Sequence, residues 1–351
     1  GNDGVECSKH EISKFYLKGK GLQGSIPTEI SQLSQLVDIN LWGNELIGTI
    51  PEQLYSLSNL KRLALSRNRL TGTLSSGVGN LQKLVRLSLA TNMMDGMIPE
   101  ELFDIQSLRT ISLYDNRFTG TISANIGNLR DLRQLLLGRN YLTGKIPTSI
   151  GNCSSLTNLE LRDNFLEGQI PATISNLANT DRLVLSNNLL RGNIPVEMGD
   201  MTNLAYLDLS ANSLTGNIPD IAGNISKLEY LRLDSNKLSG DVPDMMCKHF
   251  EKSEKSYFSS DCDANSASHV SCNCCNKCYG PSELTKRYGE CPSADIKVII
   301  NRSGHPNDPW NFLQWSLLDR SNHSLIEGGL SYADRKCSEL SDGCYVHRST
   351  C

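Results

Sequence analysis

Asn44, Asn68, Asn92, Asn116, Asn140, Asn164, Asn188, Asn212 and Asn236 follow one another at intervals of 24 residues without a slip. A glycine column from Gly24 to Gly240 keeps the same period, and Ile-Pro follows the glycine in most turns, as in "GSIP", "GTIP", "GKIP" and "GNIP". A strict period of this length means stacked structural units, because one such unit cannot bury its apolar side alone.

Each turn reads approximately "LxxLxLxxNxLxGxIPxxIGNL". Within it, "LxLxxN" alternates apolar and polar residues, the pattern of a short strand with one buried face. Leu63 and Leu65, or Leu207 and Leu209, are expected inside and their neighbours outside. The column Asn falls at a bend, where its amide can satisfy buried backbone groups of adjacent coils, forming a ladder. Glycine permits the tight bend, and proline sits where no ladder donor is needed. Nine to ten coils at about 4.8 Å per stacked strand give a solenoid about 45 Å along its axis. Departures are few: Ser75 and Ser123 replace Pro, Thr180 replaces a core Leu, and Lys20 stands where a first Asn is due, marking an edge coil. A second polar column, Asn80, Asp104, Asn128, Asn152, Asn176, Asp200 and Asn224, is expected to cap the first N–H groups of the convex-side turn.

This pattern resembles the leucine-rich-repeat family, in the 24-residue "LxGxIP" form of plant receptor ectodomains and polygalacturonase-inhibiting proteins. The resemblance covers residues 11–246. It implies an α/β solenoid: a right-handed superhelix with a concave parallel β-sheet, and a role in binding proteins or glycans.

The outward strand positions are the natural contact surface. They carry Tyr16, Trp42, Arg62, Arg86, Tyr114 and Arg139, then Arg162, Arg182, Tyr206, Tyr230 and Arg232, with Lys18, Arg67 and several acids beside them. Tyr, Trp and Arg are the residue types enriched at energetic hot spots. The competing reading is an ordinary solvated face, since a solenoid must present polar side chains to water. Catalysis has little support: the six histidines are scattered, and no nucleophile elbow, phosphate-binding Gly loop or HExxH is present. A net charge of −4 gives no basic footprint for nucleic acid. No run approaches the ~18 apolar residues of a membrane span. "GNDGVECSKH" lacks the charged start and apolar core of a signal peptide, so such a signal was either removed or never present.

Ten of the twelve cysteines follow residue 246: Cys247, Cys262, Cys272, Cys274, Cys275, Cys278, Cys291, Cys337, Cys344 and Cys351. Their polar spacers cannot build a large core, so staples must hold this region. Five disulfides fit the count, with unreadable pairing; zinc on the CxC and CxxC pairs is the competing reading, disfavoured by the adjacency of Cys274 and Cys275. Cys153 reads as a lone half-buried thiol. Four Asn-x-Ser sequons, Asn152, Asn224, Asn301 and Asn322, join the cysteines in pointing to an oxidising, extracellular setting. "SDCDANSASHVSCNCCNKC" resembles the cysteine-rich cap of secreted or surface leucine-rich-repeat proteins of diatoms and other heterokont algae. After it, "IKVII", "FLQWSLLD" and "CYVHRS" read as strands. With Pro306, Asp308, Trp315, Cys337 and "GCY" they are similar to a small β-sandwich module of algal proteins whose last strands are missing here.

The expected organisation is the end of an N-terminal cap (1–10), repeats (11–246), a disulfide-rich cap (247–291) and a truncated, sandwich-like β-rich module (292–351). The expected function is non-enzymatic and extracellular, without cofactor or metal, binding a protein or glycan through the concave or lateral face. A structural subunit of an extracellular filament, wall or appendage, contacting other subunits, is the second reading. A receptor ectodomain or enzyme inhibitor is the third.

Overall fold

The computed structural model describes residues 12–221, 225–251, 256–261, 270–272 and 274–276, and the backbone of 4–8, 11, 277–279, 296–302, 313–319 and 324–330. It divides into two compact units, Gly1–Cys278 and Tyr279–Cys351.

In the first unit each coil contributes a three-residue strand to one long parallel sheet, from Asp38–Asn40 through Tyr206–Asp208 to Tyr230–Arg232. The register advances by one coil at each step: Asp38 faces Arg62, Arg62 faces Arg86, and Tyr206 faces Tyr230. Glu11–Tyr16 precedes them in the sheet and pairs on its other side, antiparallel, with Gly4–Ser8. The alternation of each strand places Leu63, Leu65, Leu207 and Leu209 in the core at 0% exposure. Burial of each such leucine contributes about 1.5–3 kcal/mol. Two shorter parallel sheets run along the flank, one over Gln23–Gly24 to Met93–Asp95 and one over Glu167–Gly168 to Val270–Ser271.

The opposite side of the coils is made of single 3-10 turns such as Thr28–Gln32, Ser76–Asn80 and Val196–Asp200. Their geometry corrects one sequence expectation. Asn80, Asp104, Asn128, Asn152, Asn176 and Asp200 are the last residues of these turns, so they do not cap the first N–H groups; Asn224 lies outside the described residues. The N-cap is the residue after Ile or Leu, proline in most coils. Where serine replaces it, the hydroxyl becomes the cap: Ser75 Oγ accepts from Gly77 N at 3.0 Å, and Ser123 Oγ from Asn125 N at 3.1 Å. Thr180, in a leucine column, is fully buried, and its hydroxyl donates to the Leu156 carbonyl of the preceding coil at 2.8 Å. Cys153 is fully buried rather than half-buried, because it occupies the core column of Leu129 and Leu177. Burial pushes its thiol up to about 11, which leaves it an inert core residue.

Each column asparagine bridges two coils. Asn164 Nδ2 donates to the carbonyls of Leu161 in its own coil and Leu137 in the coil before, at 3.1 and 3.0 Å. Its Oδ1 accepts from Leu142 N at 3.0 Å. Asn44 does the same at the start of the series, accepting from Lys20 and Leu22 and donating to Leu17 and Leu41. The column glycines adopt positive φ, +72° at Gly144, and a Cβ there would meet Thr121 Cγ2 of the preceding coil at 2.8 Å. Backbone handedness and close approach both demand glycine.

The last coil is covered by an α-helix, Asp244–Phe250, which buries Met246 and Phe250. Phe250 stacks on Phe258 at 5.2 Å. Phe258 belongs to Tyr257–Asp261, a further strand parallel to Tyr230–Arg232. Two disulfides close the cap, Cys247–Cys274 and Cys272–Cys275, so those four sulfurs are bonded to one another rather than held as metal-binding thiolates. The side chains of Cys262, Cys278, Cys291, Cys337, Cys344 and Cys351 lie outside the described residues.

The second unit contains an antiparallel sheet in the order Ile296–Arg302, Leu313–Asp319, Ser324–Leu330. The first two are the strands expected from "IKVII" and "FLQWSLLD". The third, Ser324–Leu330 ("SLIEGGL"), is not among the expected strands; its two glycines hide it from a propensity reading. "CYVHRS" lies outside the described residues, as do the sequons Asn224 and Asn322 and the side chain of Asn301. Asn152 is exposed.

Candidate functional site: the concave face of the sheet

Because the strands share one register, outward residues 24 apart stand beside each other on neighbouring strands. Three clusters result, each built from aromatic rings and charged groups of different coils.

At the N-terminal end, Trp42 lies between Lys18 of the preceding coil and Arg67 of the following one, with cation-to-ring distances of 4.5 and 5.1 Å. Such contacts contribute about 0.5–1 kcal/mol each at exposed sites. Tyr16 donates its hydroxyl to Asp38 Oδ2 at 2.9 Å, and Arg62 lies 3.5 Å from the same oxygen. Burial and the Asp38 hydrogen bond raise the Tyr16 hydroxyl above its ordinary value. Arg86, on the adjacent strand, is exposed.

In the middle, Arg162 donates to the hydroxyl of Tyr114, two coils away, and its guanidinium lies 5.3 Å from that ring. Arg139 approaches the same ring at 5.6 Å. Glu160 holds Arg162 Nε at 2.7 Å, and Asp163 lies 3.7 Å from Arg139 and 3.9 Å from Arg162. The residue between Tyr114 and Arg162 in their column is Gly138, where a Cβ would sit 3.1 Å from Tyr114 Cδ2. Burial raises the Tyr114 hydroxyl, opposed by the two arginines.

Toward the C-terminal end, Arg182 lies over Tyr206 at 3.8 Å, Tyr206 stacks on Tyr230 at 4.1 Å, and Tyr230 stacks on Tyr257 at 4.9 Å. The ladder turns ring faces toward one another and leaves ring edges outward. Beside it, Arg232 is shared between Asp208 at 3.7 Å and Asp234 at 3.0 Å, and Ser259 donates to Asp234. Burial works against the Arg232 charge, but the Asp234 hydrogen bond and the two carboxylates hold the guanidinium above its ordinary range. Burial raises the Tyr230 hydroxyl strongly.

The eleven residues singled out from sequence thus fall into these clusters, except Arg86. Sequence reading missed Gly138 and Tyr257. Gly138 carried a signal, since "LLLGRN" breaks the outward column with a missing side chain. Tyr257 carried none, because it follows Tyr230 out of the 24-residue register while pairing with it directly.

The described residues contain no grouping of His, Cys, Asp and Glu able to hold a metal ion. Among them, no helix is long and apolar enough to cross a membrane.

Leucine-rich-repeat family models match residues 58–118, 131–153, 154–214 and 227–249. No curated protein matches the sequence. Among solved structures, the leucine-rich-repeat ectodomain of the Arabidopsis thaliana membrane receptor kinase GASSHO1/SCHENGEN3, in complex with CASPARIAN STRIP INTEGRITY FACTOR 2, is 36% identical with a TM-score of 0.70, covering 73% of this chain and 31% of that one. The Arabidopsis receptor kinase HAESA, in complex with the peptide hormone IDA and a co-receptor, is 32% identical with a TM-score of 0.62, covering 73% and 47%. A plant ice-binding protein is 26% identical with a TM-score of 0.60, covering 78% and 87%. The chain spans less than half the length of either receptor ectodomain. Its repeats form a leucine-rich-repeat solenoid of the α/β class, similar to the ectodomains of plant receptor kinases.

Proposed function

We propose that this chain is a non-enzymatic, extracellular recognition module that binds a protein or peptide partner through the concave face. The observation that carries this reading is the concentration of Trp, Tyr and Arg on one face of a rigid sheet, because pre-positioned aromatic and guanidinium groups lose little entropy on binding. The two disulfides support an oxidising compartment, and the receptor ectodomains named above were solved with peptide or protein ligands. A glycan fits less well. Sugars bind aromatic side chains through ring faces, and Trp42 and the Tyr206–Tyr230–Tyr257 ladder have theirs occupied.

Binding of immobilised full chain to a random dodecapeptide display library tests this, with Trp42→Ala and Tyr114→Ala as controls. Selected peptides should lose about tenfold or more in affinity for both variants. Peptides indifferent to both would remove the concave face from the reading. The structural-subunit reading is separated by light scattering: growth of mass with concentration would favour it.

The ice-binding neighbour does not lead to a third reading. Thr71, Thr73 and Thr121 are exposed on the flank, but Asp95 and Met97 interrupt them, so no continuous hydroxyl array is presented.

A further inference from the structure

Two features single out one stretch of the concave face. Arg62 and Arg86 are register partners on adjacent strands, and like charges side by side on a sheet oppose folding. Asp38 answers Arg62 at 3.5 Å, whereas Arg86 enters no ion pair among the described residues and is exposed. Lys18 and Arg67, also exposed, add positive charge around Trp42. Two acids of neighbouring coils, Asp38 and Asp115, are already faced by Arg62 and Arg139.

The second feature is shape. Between Trp42 and Tyr114 the inner columns carry only small side chains: Ala64, Ser66, Ser88, Ala90 and Ser112. Ser66 and Ser88 bond to each other at 2.7 Å, which ties down two of the floor hydroxyls. Trp42 and Tyr114 are three coil steps of about 4.8 Å apart, so the trough is about 14 Å long and holds roughly four residues of extended peptide. Trp42 has a cation from the coil on either side. Both cations on Tyr114 come from coils on its C-terminal side, which leaves its side toward Ala90 to the trough. Beyond Tyr114 the same columns hold charges that satisfy one another, Arg162 with Glu160 and Arg232 with Asp208 and Asp234.

We propose that the trough from Trp42 to Tyr114 is the recognition site of this solenoid, and that its ligand is an acidic peptide segment lying along the solenoid axis, with an apolar side chain against Tyr114. The charge is complementary, the floor is shallow enough to admit a main chain, and an incoming carboxylate would relieve the Arg62–Arg86 repulsion. This rests on the reading of the concave face as a peptide-binding surface.

The test uses the full chain and peptides selected from the random dodecapeptide library, measured by fluorescence anisotropy against four variants, each checked by its melting curve. Arg86→Glu reverses an exposed charge and leaves the core intact; Ser88→Trp fills the trough. Arg182→Glu and Tyr230→Phe alter the C-terminal cluster. The proposal expects selected peptides with Asp or Glu inside a four-residue window and a loss of about tenfold or more for Arg86→Glu and Ser88→Trp. It expects less than about twofold change for Arg182→Glu and Tyr230→Phe, and weakening with added salt. If Arg182→Glu or Tyr230→Phe abolish binding while Arg86→Glu and Ser88→Trp do not, the trough is wrong and peptide recognition stands. If heparin binds in an Arg86-dependent way and no peptide is selected, the ligand class is overturned. If neither peptides nor heparin bind, the trough and the recognition reading fall together.

Discussion

Arg162 reaches the Tyr114 hydroxyl across Gly138, the column position with no side chain to keep them apart. A hydrogen bond between residues 48 apart in sequence therefore depends on an absence at the residue midway between them. Replacing Gly138 by Ala should separate the pair. A double-mutant cycle with Tyr114→Phe and Arg162→Met should give a coupling of about 1 kcal/mol in the native background, falling toward zero with Ala at 138. Equal coupling in both backgrounds would show that the glycine is irrelevant to the contact.

Asn164→Ala should destabilise the solenoid by about 2 kcal/mol, because it strands the Leu142 N–H in a dry interior and leaves the carbonyls of Leu137 and Leu161 with one asparagine donor each, Asn140 and Asn188. Urea unfolding followed by circular dichroism measures the loss. Hydrogen exchange should locate it in the two coils on either side, since each repeat contacts only its neighbours.

At Gly144 the φ of +72° and the 2.8 Å approach of Thr121 Cγ2 make two separable penalties. Gly144→Ala should cost about 2 kcal/mol, and adding Thr121→Ser, which removes the methyl, should recover only the steric share. Full recovery in melting experiments would mean that backbone strain contributes nothing.

Asp261 closes the end of the sheet by accepting from Ser235 N at 2.8 Å and Asn236 N at 2.9 Å. In earlier coils these amides find carbonyls of the next coil, as Ala211 and Asn212 do at Asp234 and Ser235. Burial raises the Asp261 carboxyl to about 6, against the two amide hydrogen bonds that lower it. A folded value above the unfolded one makes this contribution to stability fully present below about pH 4 and lost as pH rises through about 6. NMR should show the Ser235 and Asn236 amides shifting with a midpoint near 6, and Asp261→Asn should flatten that part of the stability profile. Invariant amide shifts between pH 4 and 7 would overturn the assignment.

Much of the fold was legible because a solenoid repeats one local solution. The strand, the asparagine bend and the buried leucine columns recur at a fixed period, so the pattern at Leu63 and Leu65 also describes Leu207 and Leu209. Legibility failed where a residue's role depends on what stands across from it. The second Asx column resembled a set of N-caps, yet the caps are prolines, or Ser75 and Ser123 where proline is lost. The concave candidates were readable as a row of outward residues; how they divide into clusters was not.

The amino-acid order by itself determined the period, the inward and outward faces and the stacking of coils, because burial and backbone satisfaction act between neighbours of known register. Only the tertiary structure decided that Tyr257 extends the tyrosine ladder out of register, that Arg162 bends over Gly138, and that Arg86 enters no ion pair among the described residues while its neighbour Arg62 does. Those outcomes follow from which side chains happen to fill or vacate the space beside them, and a one-dimensional pattern does not carry that information.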